Sequence, residues 1–266
     1  MRFLRYPGGK SNMLAFLVKY LPSAEDIQGH YIEPFLGGGA IFLNIQPKKA
    51  LLSDINPELI DLYKGIRLYP HKVWRIFESF PTGKDSYYEV RDREVNGSPL
   101  YYRAARTLYL NRTCFKGMWR HNSNGKFNVG YGGEGRRWAI THKNIIDLSL
   151  IFRKAEIRKT GFEETLSVVS PGDFIFLDPP YVPGEKSLNE AHYIHGSFTY
   201  DDQIKLSMIL KHISKISNVK WLMTNSSHAD IKNLYAEFKI KRIPTGTSST
   251  IGVQTKKSKE ILISNY

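Results

Sequence analysis

The chain has 266 residues, 41% of them hydrophobic and including 14 Phe, 16 Tyr and 4 Trp, enough for one large domain or one domain with a substantial insertion. Its 38 Lys and Arg against 25 Asp and Glu leave a net charge of +13, which calls for a polyanionic partner. No apolar run of about 18 residues occurs, which excludes a transmembrane helix, and the lone Cys114 excludes an internal disulfide.

The start of the chain has no signal-peptide core, so a cytoplasmic protein is expected, in keeping with a single unpaired cysteine. Arg5-Tyr6-Pro7-Gly8-Gly9-Lys10 is a loop signal. It opens onto Met13, Leu14, Phe16, Leu17, Tyr20 and Leu21 at helical spacing, with Ser11 or Asn12 as the predicted N-cap. A glycine loop before a helix N-terminus suits an anion or carboxylate, although most such loops simply turn. From Tyr31 a short apolar strand runs into Gly37-Gly38-Gly39 and then a helical pattern. Glycine there lets backbone approach a ligand and tolerates positive φ. Ala50–Asp54 reads as a second strand ending in an acid, a placement that serves ribose hydroxyls in nucleotide-type sites. The glycines do not spell G-x-G-x-x-G, and no G-x-x-x-x-G-K-[ST] is present. A smaller adenosine-bearing ligand therefore fits better than a dinucleotide.

The chain changes character over residues 57–150. Pro57–Leu68 is predicted helical, charged helix-like segments continue to Arg93, Asn96-Gly97-Ser98-Pro99 interrupts them, and residues 103–110 return to helical spacing. Asn124-Gly125 between aromatic-bearing flanks predicts a hairpin. This basic, aromatic stretch has the parts of a groove reader: Arg for guanine edges, Lys for phosphate, an apolar wedge for stacking. A hairpin that packs its aromatics on the core is the alternative. Residues 101–143 carry nine Lys or Arg and one acid, Glu134, and residues 239–259 carry six and none. Two such tracts resemble the walls of a groove, with a solvated basic surface as the plainer alternative.

Alternating strands and helices resume after Ile145. A strand and loop are predicted over 157–162, and strands at Phe174–Leu177, over 219–223 before Thr224-Asn225-Ser226-Ser227, and at 238–243 and 260–263. A helix is predicted over 201–216, capped near Thr199. This is an α/β sheet with ligands expected at the carboxyl ends of its strands, where Gly37, Asp54 and Asp178 can converge. The polar loop 182–200 is long enough to close over a substrate. The most informative stretch is Phe174 to Tyr181, an apolar strand that ends in Asp178-Pro179-Pro180-Tyr181. Prolines stop the strand and leave the flanking carbonyls free as acceptors beside a carboxylate and a ring. That set suits a planar, amine-bearing base stacked on Tyr181. An ordinary strand exit with a chance Asp is the alternative.

Several motifs occur in one order: the Pro-Gly-Gly-Lys start, Glu33-Pro34-Phe35 before the glycines, Ser53-Asp54-Ile55-Asn56, Leu110-Asn111-Arg112, Phe127-Asn128-Val129 and Asp178-Pro179-Pro180-Tyr181. In these, over essentially its whole length, the chain resembles Dam-type (D12 class) DNA adenine-N6 methyltransferases. The resemblance implies a Rossmann-like S-adenosylmethionine-dependent sheet formed by residues 1–60 and 145–266. It also implies a mostly helical target-recognition insert, 61–144, carrying a β-hairpin. Tyr6, Lys10, Phe35, Gly37, Gly39, Asp54, Phe162 and Asp178 are then the expected cofactor contacts. Of these, Asp54 serves the ribose, Phe162 the adenine and the glycine turn the methionine part. Asp178, Pro179, Pro180 and Tyr181 form the expected catalytic corner. Arg5, Phe115, Lys116, Met118, Arg120, Asn122 and Lys126 are the expected contacts to double-stranded DNA, with Arg5 and Arg120 at guanines and Phe115 filling the gap left by the flipped base. Lys116 replaces the family's usual Asn, Met118 its Leu and Gly130 its Pro. The implied target is a short duplex site, GATC-like, and a cognate restriction endonuclease is a candidate partner. No metal is expected. Cytosine-N4 or RNA amino-methylation, and a catalytically silent DNA-binding module, remain as alternative readings.

Overall fold

The computed structural model describes residues 3–6, 8–181, 198–244 and 260–266. Seven strands form one sheet: β1 (Tyr31–Glu33), β2 (Ala50–Asp54), β3 (Ala155–Lys159), β4 (Phe174–Leu177), β5 (Lys220–Ser226), β6 (Lys239–Arg242) and β7 (Glu260–Ser264), in the order β3-β2-β1-β4-β5-β7-β6. The first five in that order are mutually parallel, while β7 runs antiparallel between β5 and β6. This is the Rossmann-like sheet that the sequence resemblance implies. The run Phe174–Leu177 is continuously apolar because both faces of the sheet are covered. Phe174 and Phe176 point into one core cluster and Ile175 and Leu177 into the other, all nearly inaccessible to solvent. Burying each such side chain contributes roughly 1.5–3 kcal/mol.

Ten helices accompany the sheet among the described residues: α1 (Leu14–Leu17), α2 (Ala40–Ile45), α3 (Pro57–Leu68), α4 (Pro70–Ser79), α5 (Lys84–Asp92), α6 (Leu100–Thr113), α7 (His142–Phe152), α8 (Phe162–Leu166), α9 (Tyr200–Ile213) and α10 (Ala229–Leu234). Their starts follow local chemistry. Asn56 caps α3 by accepting the Glu58 N–H ahead of Pro57 in the first turn, and Thr141 and Thr199 form capping boxes with Asn144 and Asp202. Leu59, Leu62, Leu108 and Tyr109 of α3 and α6 belong to the same core cluster as Tyr31 and Leu52 of the sheet.

Some sequence expectations are corrected. Ser11 and Asn12 cap nothing. They sit in a 3₁₀ turn, Lys10–Asn12, closed by Met13 N–H on the Lys10 carbonyl at 2.9 Å, and the helix that follows has four residues. β3 begins two residues before its predicted start and ends at Lys159, and Phe162, placed in the following loop, opens α8 instead. β5 runs on to Ser226, so Thr224 and Asn225 lie inside the strand, where pairing with β7 holds them extended. The hairpin makes only the isolated bridges Cys114–Tyr131 and His121–Phe127 rather than a strand ladder. Most of the loop 182–200 and residues 245–259 of the second basic tract lie outside the described residues.

Candidate active site

β1 and β4 are neighbours in the sheet, but the chain leaves them in opposite directions, β1 toward β2 and β4 toward β5. Such a switch point opens a crevice at the carboxyl ends of the strands. Here it holds a cleft of about 330 Å³ lined by Lys10, Glu33, Phe35, the 37–39 glycines, Asp54, Phe162 and Asp178. Gly37, Asp54 and Asp178, placed at strand ends from sequence, do converge.

The wall after β1 is a glycine turn in which Gly37 and Gly39 have φ of 46° and 64°, a region that costs an L-residue roughly 1–2 kcal/mol. A Cβ at Gly37 would meet the Tyr6 ring only at ordinary contact, 3.4 Å, so the left-handed φ rather than space is what favours glycine there. The Gly37 N–H donates to Asp54 Oδ2 at 2.8 Å and the Asn56 N–H to Oδ1 at 2.9 Å, fixing the carboxylate that ends β2. Burial pushes the Asp54 carboxyl above its ordinary value, and these N–H donors pull it back. Phe35 stacks on Phe162 with centroids 5.7 Å apart, and Phe198 meets both edge-on. These rings form an apolar slot at one side of the cleft.

The opposite wall is the Asp178 corner. Lys10, only 4% exposed, places Nζ 2.7 Å from Asp178 Oδ1 and 5.0 Å from the Tyr181 ring centroid. The same Oδ1 accepts the Thr224 hydroxyl at 2.7 Å, with the Tyr181 hydroxyl 3.3 Å away. Among the described residues every hydrogen bond to Asp178 goes to Oδ1, which leaves Oδ2 as an acceptor. Burial raises the Asp178 carboxyl above its ordinary value, Lys10 and Thr224 oppose that, and Glu260 adds to it. The two proline carbonyls are not equivalent, contrary to the sequence expectation. Pro180 accepts Gln203 Nε2 at 3.2 Å, whereas the Pro179 carbonyl has no hydrogen bond among the described residues. Gln203 is fully buried and itself held by Asn225, so the Pro180 carbonyl serves the corner's rigidity rather than a ligand.

The hairpin resolves into two faces. Trp119 and Phe127 are buried against each other, 4.7 Å between centroids, and Trp119 also closes part of the cleft. His121 Nε2 lies 2.8 Å from Glu58 Oε2 at the start of α3, which ties the hairpin to the β2 exit. Phe115, 49% exposed, points outward with Lys116, Asn122 and Lys126, while Met118 is half-buried against the core. The hairpin thus packs one aromatic face on the core and leaves the other, with Phe115 and its lysines, exposed. Arg120 is half-exposed and donates to Asn128 Oδ1, and Asn122 uses its side-chain carbonyl to accept the Asn124 and Lys126 N–H groups of the turn. Arg5 lies across Gly117, and Asn111 bonds both the N–H and the carbonyl of Arg5. The amino-terminal loop is thus fastened beside Phe115.

The charge tract 101–143 is less of a groove wall than its composition implies. Arg103 is held by Asp61, and Arg106 caps the end of α5 through the Val90 and Arg91 carbonyls. Arg112 is buried, and Arg137, fully buried, donates to the Phe77, Phe80 and Pro81 carbonyls around the end of α4. Lys116, Arg120, Lys126, Arg136 and Lys143 are left facing outward or half-outward. Cys114 is buried, which pushes its thiol up to about 12, a poor state for a nucleophile.

Sequence reasoning assigned no role to Glu33, Trp119, Thr224, Gln203 or Glu260, all of which shape the site. Glu33 had a visible signal, since Glu33-Pro34 repeats the strand-acid-proline order of Asp178-Pro179. Glu33 is 2% exposed, accepts the Tyr31 hydroxyl at 2.6 Å, and burial pushes its carboxyl up to about 8. Among the described residues no group of three or more His, Cys, Asp or Glu side chains is arranged to hold a metal ion, and no helix is long and apolar enough to cross a membrane.

Residues 6–248 match the family model of D12 class N6 adenine-specific DNA methyltransferases. A Type II methyltransferase of Lactococcus lactis subsp. cremoris is 31% identical over 279 residues, covering 99% of this chain and 95% of its own. A second Type II methyltransferase, from Methanocaldococcus jannaschii, is 31% identical and covers 99% and 98%. A DNA adenine methylase of Vibrio cholerae is 29% identical over 88% of this chain and 84% of its own.

Proposed function

Because the chain belongs to the D12 class of N6 adenine-specific DNA methyltransferases, we propose that it transfers a methyl group from S-adenosylmethionine to the N6 amino group of an adenine, flipped out of a short GATC-like duplex site. The observation that carries this reading is the acceptor pair at the end of β4. Asp178 keeps Oδ2 available while Lys10, Thr224 and Tyr181 crowd Oδ1, and the adjacent Pro179 carbonyl has no described partner.

The adenine amino nitrogen is a weak nucleophile because its lone pair is delocalised into the ring. Asp178 Oδ2 and the Pro179 carbonyl, each accepting one amino hydrogen, favour a pyramidal nitrogen whose lone pair is available. Bound S-adenosylmethionine supplies an electrophilic sulfonium methyl. The chain contributes alignment in a cleft of suitable volume, with Asp178 positioned to take the proton that the amine sheds. Asp54 suits the ribose hydroxyls, the slot of Phe35 and Phe162 the cofactor's adenine, and the 37–39 turn with Tyr6, Lys10 and Glu33 the methionine part. Tyr181 offers the ring on which the flipped base stacks.

In this reading residues 1–60 and 145–266 form the catalytic part and 61–144 the recognition insert, with α3 straddling their boundary. Phe115 fills the gap left by the base. Arg5, Lys116, Met118, Arg120, Asn122 and Lys126 meet the duplex, consistent with their clustering around Gly117 and the hairpin turn. The enzyme acts in the cytoplasm on double-stranded DNA, and a cognate restriction endonuclease is a candidate partner. The test is transfer of a tritiated methyl group to duplex DNA followed by nucleoside analysis. The expected product is N6-methyldeoxyadenosine, lost in Asp178→Asn. Label on cytosine, label only on RNA, or no label on any DNA would overturn the proposal.

A further inference from the structure

Glu260 opens β7, beyond the span 6–248 of the family match, and its side chain is nevertheless buried in the catalytic corner. Its Oε2 lies 3.1 Å from the Tyr181 hydroxyl, which stands 3.3 Å from Asp178 Oδ1. A tyrosine hydroxyl has one proton to donate, and two carboxylates compete for it. Asp178 Oδ1 already accepts two donors at 2.7 Å, the Lys10 ammonium and the Thr224 hydroxyl. The shorter contact to Glu260 and the two donors already on Asp178 Oδ1 both assign the proton to Glu260.

We propose that Glu260 is a positioning residue for the transfer step, holding the Tyr181 ring by its hydroxyl and keeping that hydroxyl from competing with the substrate amine for Asp178. The inference rests on the function proposed above for its kinetic consequence, but not for its geometry. Pairing in the sheet fixes Glu260, because it lies opposite Ser226 on β5 and its carbonyl accepts the Ile243 N–H. The same strand, β5, carries Thr224, so one rigid element aligns the two groups that organise Asp178 and Tyr181. Without the acceptor at 260, the Tyr181 hydroxyl turns to Asp178, the ring tilts with it, and the stacking plane and the free acceptor are disturbed together.

The test is a double-mutant cycle of Glu260→Met, which keeps the volume and removes the acceptor, with Tyr181→Phe, which removes the hydroxyl. Glu260→Met is expected to lower kcat by about 10- to 100-fold, the scale of a misplaced reacting group, with the cofactor Kd unchanged. In the Tyr181→Phe background it should have no further effect, and Glu260→Gln, which retains an acceptor, should recover most of the rate. A merely structural role would slow both backgrounds alike and would overturn the proposal. A readout independent of any activity is the Cζ resonance of Tyr181 in protein labelled with ¹³C-tyrosine, assigned by its loss in Tyr181→Phe. It should move in Glu260→Met and stay in Glu260→Gln. An unmoved resonance in Glu260→Met overturns the inference even if no DNA is methylated, whereas a moved resonance without methylation refutes only the proposed function.

Discussion

Glu33 makes the stability of this protein depend on pH in a direction opposite to that of an ordinary paired carboxylate. Its carboxyl, buried at the end of β1, lies at about 8 in the folded chain against an ordinary 4.5, because burial outweighs the Tyr31 hydroxyl and the Phe42 N–H that favour its charged form. The folded state therefore binds a proton that the unfolded state has released between those values, and stability falls as pH rises through that window. The contribution is fully present below about pH 4.5 and lost as pH passes 8. At roughly 1.4 kcal/mol per pH unit, the full loss is about 4–5 kcal/mol, a large part of a typical folding free energy. Urea unfolding of the wild type and Glu33→Gln between pH 5 and pH 9 isolates the effect, since every other titrating group cancels in the difference. The wild type should lose stability relative to the variant as pH rises, then level off. A difference that stays flat, or that grows in favour of the wild type with pH, would refute the burial argument. If the methionine ammonium of the cofactor comes to rest against this carboxyl, calorimetry of S-adenosylhomocysteine should show affinity rising by up to about tenfold per pH unit from pH 6 to 8, and this rise should vanish in Glu33→Gln.

Other outcomes follow from the hairpin. Lys116 holds a left-handed backbone, φ 52°, immediately before Gly117 at φ 70°. Lys116→Asn should stabilise the fold by roughly 0.5–1 kcal/mol, since Asn tolerates that region, while the slope of DNA affinity against salt falls by about one phosphate contact. Equilibrium unfolding and a salt titration check both parts. Arg120→Ala should relax discrimination at one base pair by about 1–3 kcal/mol, read from affinities for singly substituted sites; equal weakening on all sequences would make Arg120 a phosphate contact. Phe115→Ala, at an exposed ring that packs on no core cluster, should slow transfer more than it weakens DNA binding. Fluorescence of 2-aminopurine at the target position would fall in step with kcat if Phe115 sustains the flipped state.

The Asp178–Tyr181 corner, the glycine turn and the acid of β2 were legible as structural features without coordinates, because each is a local solution written in adjacent residues. An apolar strand that meets two prolines must stop. Three glycines after a strand permit a left-handed turn, and an acid that closes the next strand faces the same edge of a parallel sheet. The cap of α9 by Thr199 and the start of α3 at Asn56-Pro57 were readable for the same reason. Composition was a poorer guide to the basic tract. It counted Arg103, Arg106, Arg112 and Arg137 as surface charge, although long-range packing buries Arg106, Arg112 and Arg137 and ties half-buried Arg103 to Asp61.

Only the tertiary structure decided how the corner is held. The proline carbonyls look alike in sequence, yet Gln203, 23 residues away, occupies one of them. The oxygens of Asp178 are chemically identical until Lys10 and Thr224 meet at Oδ1 from opposite ends of the chain. Glu260 reaches Tyr181 across 79 residues because β7 inserts antiparallel beside β5, and His121 reaches Glu58 across 63. Adjacent residues determined which groups could do the chemistry. Which of their atoms remain available to a substrate depends on partners distant in the chain, and sheet order brings those together.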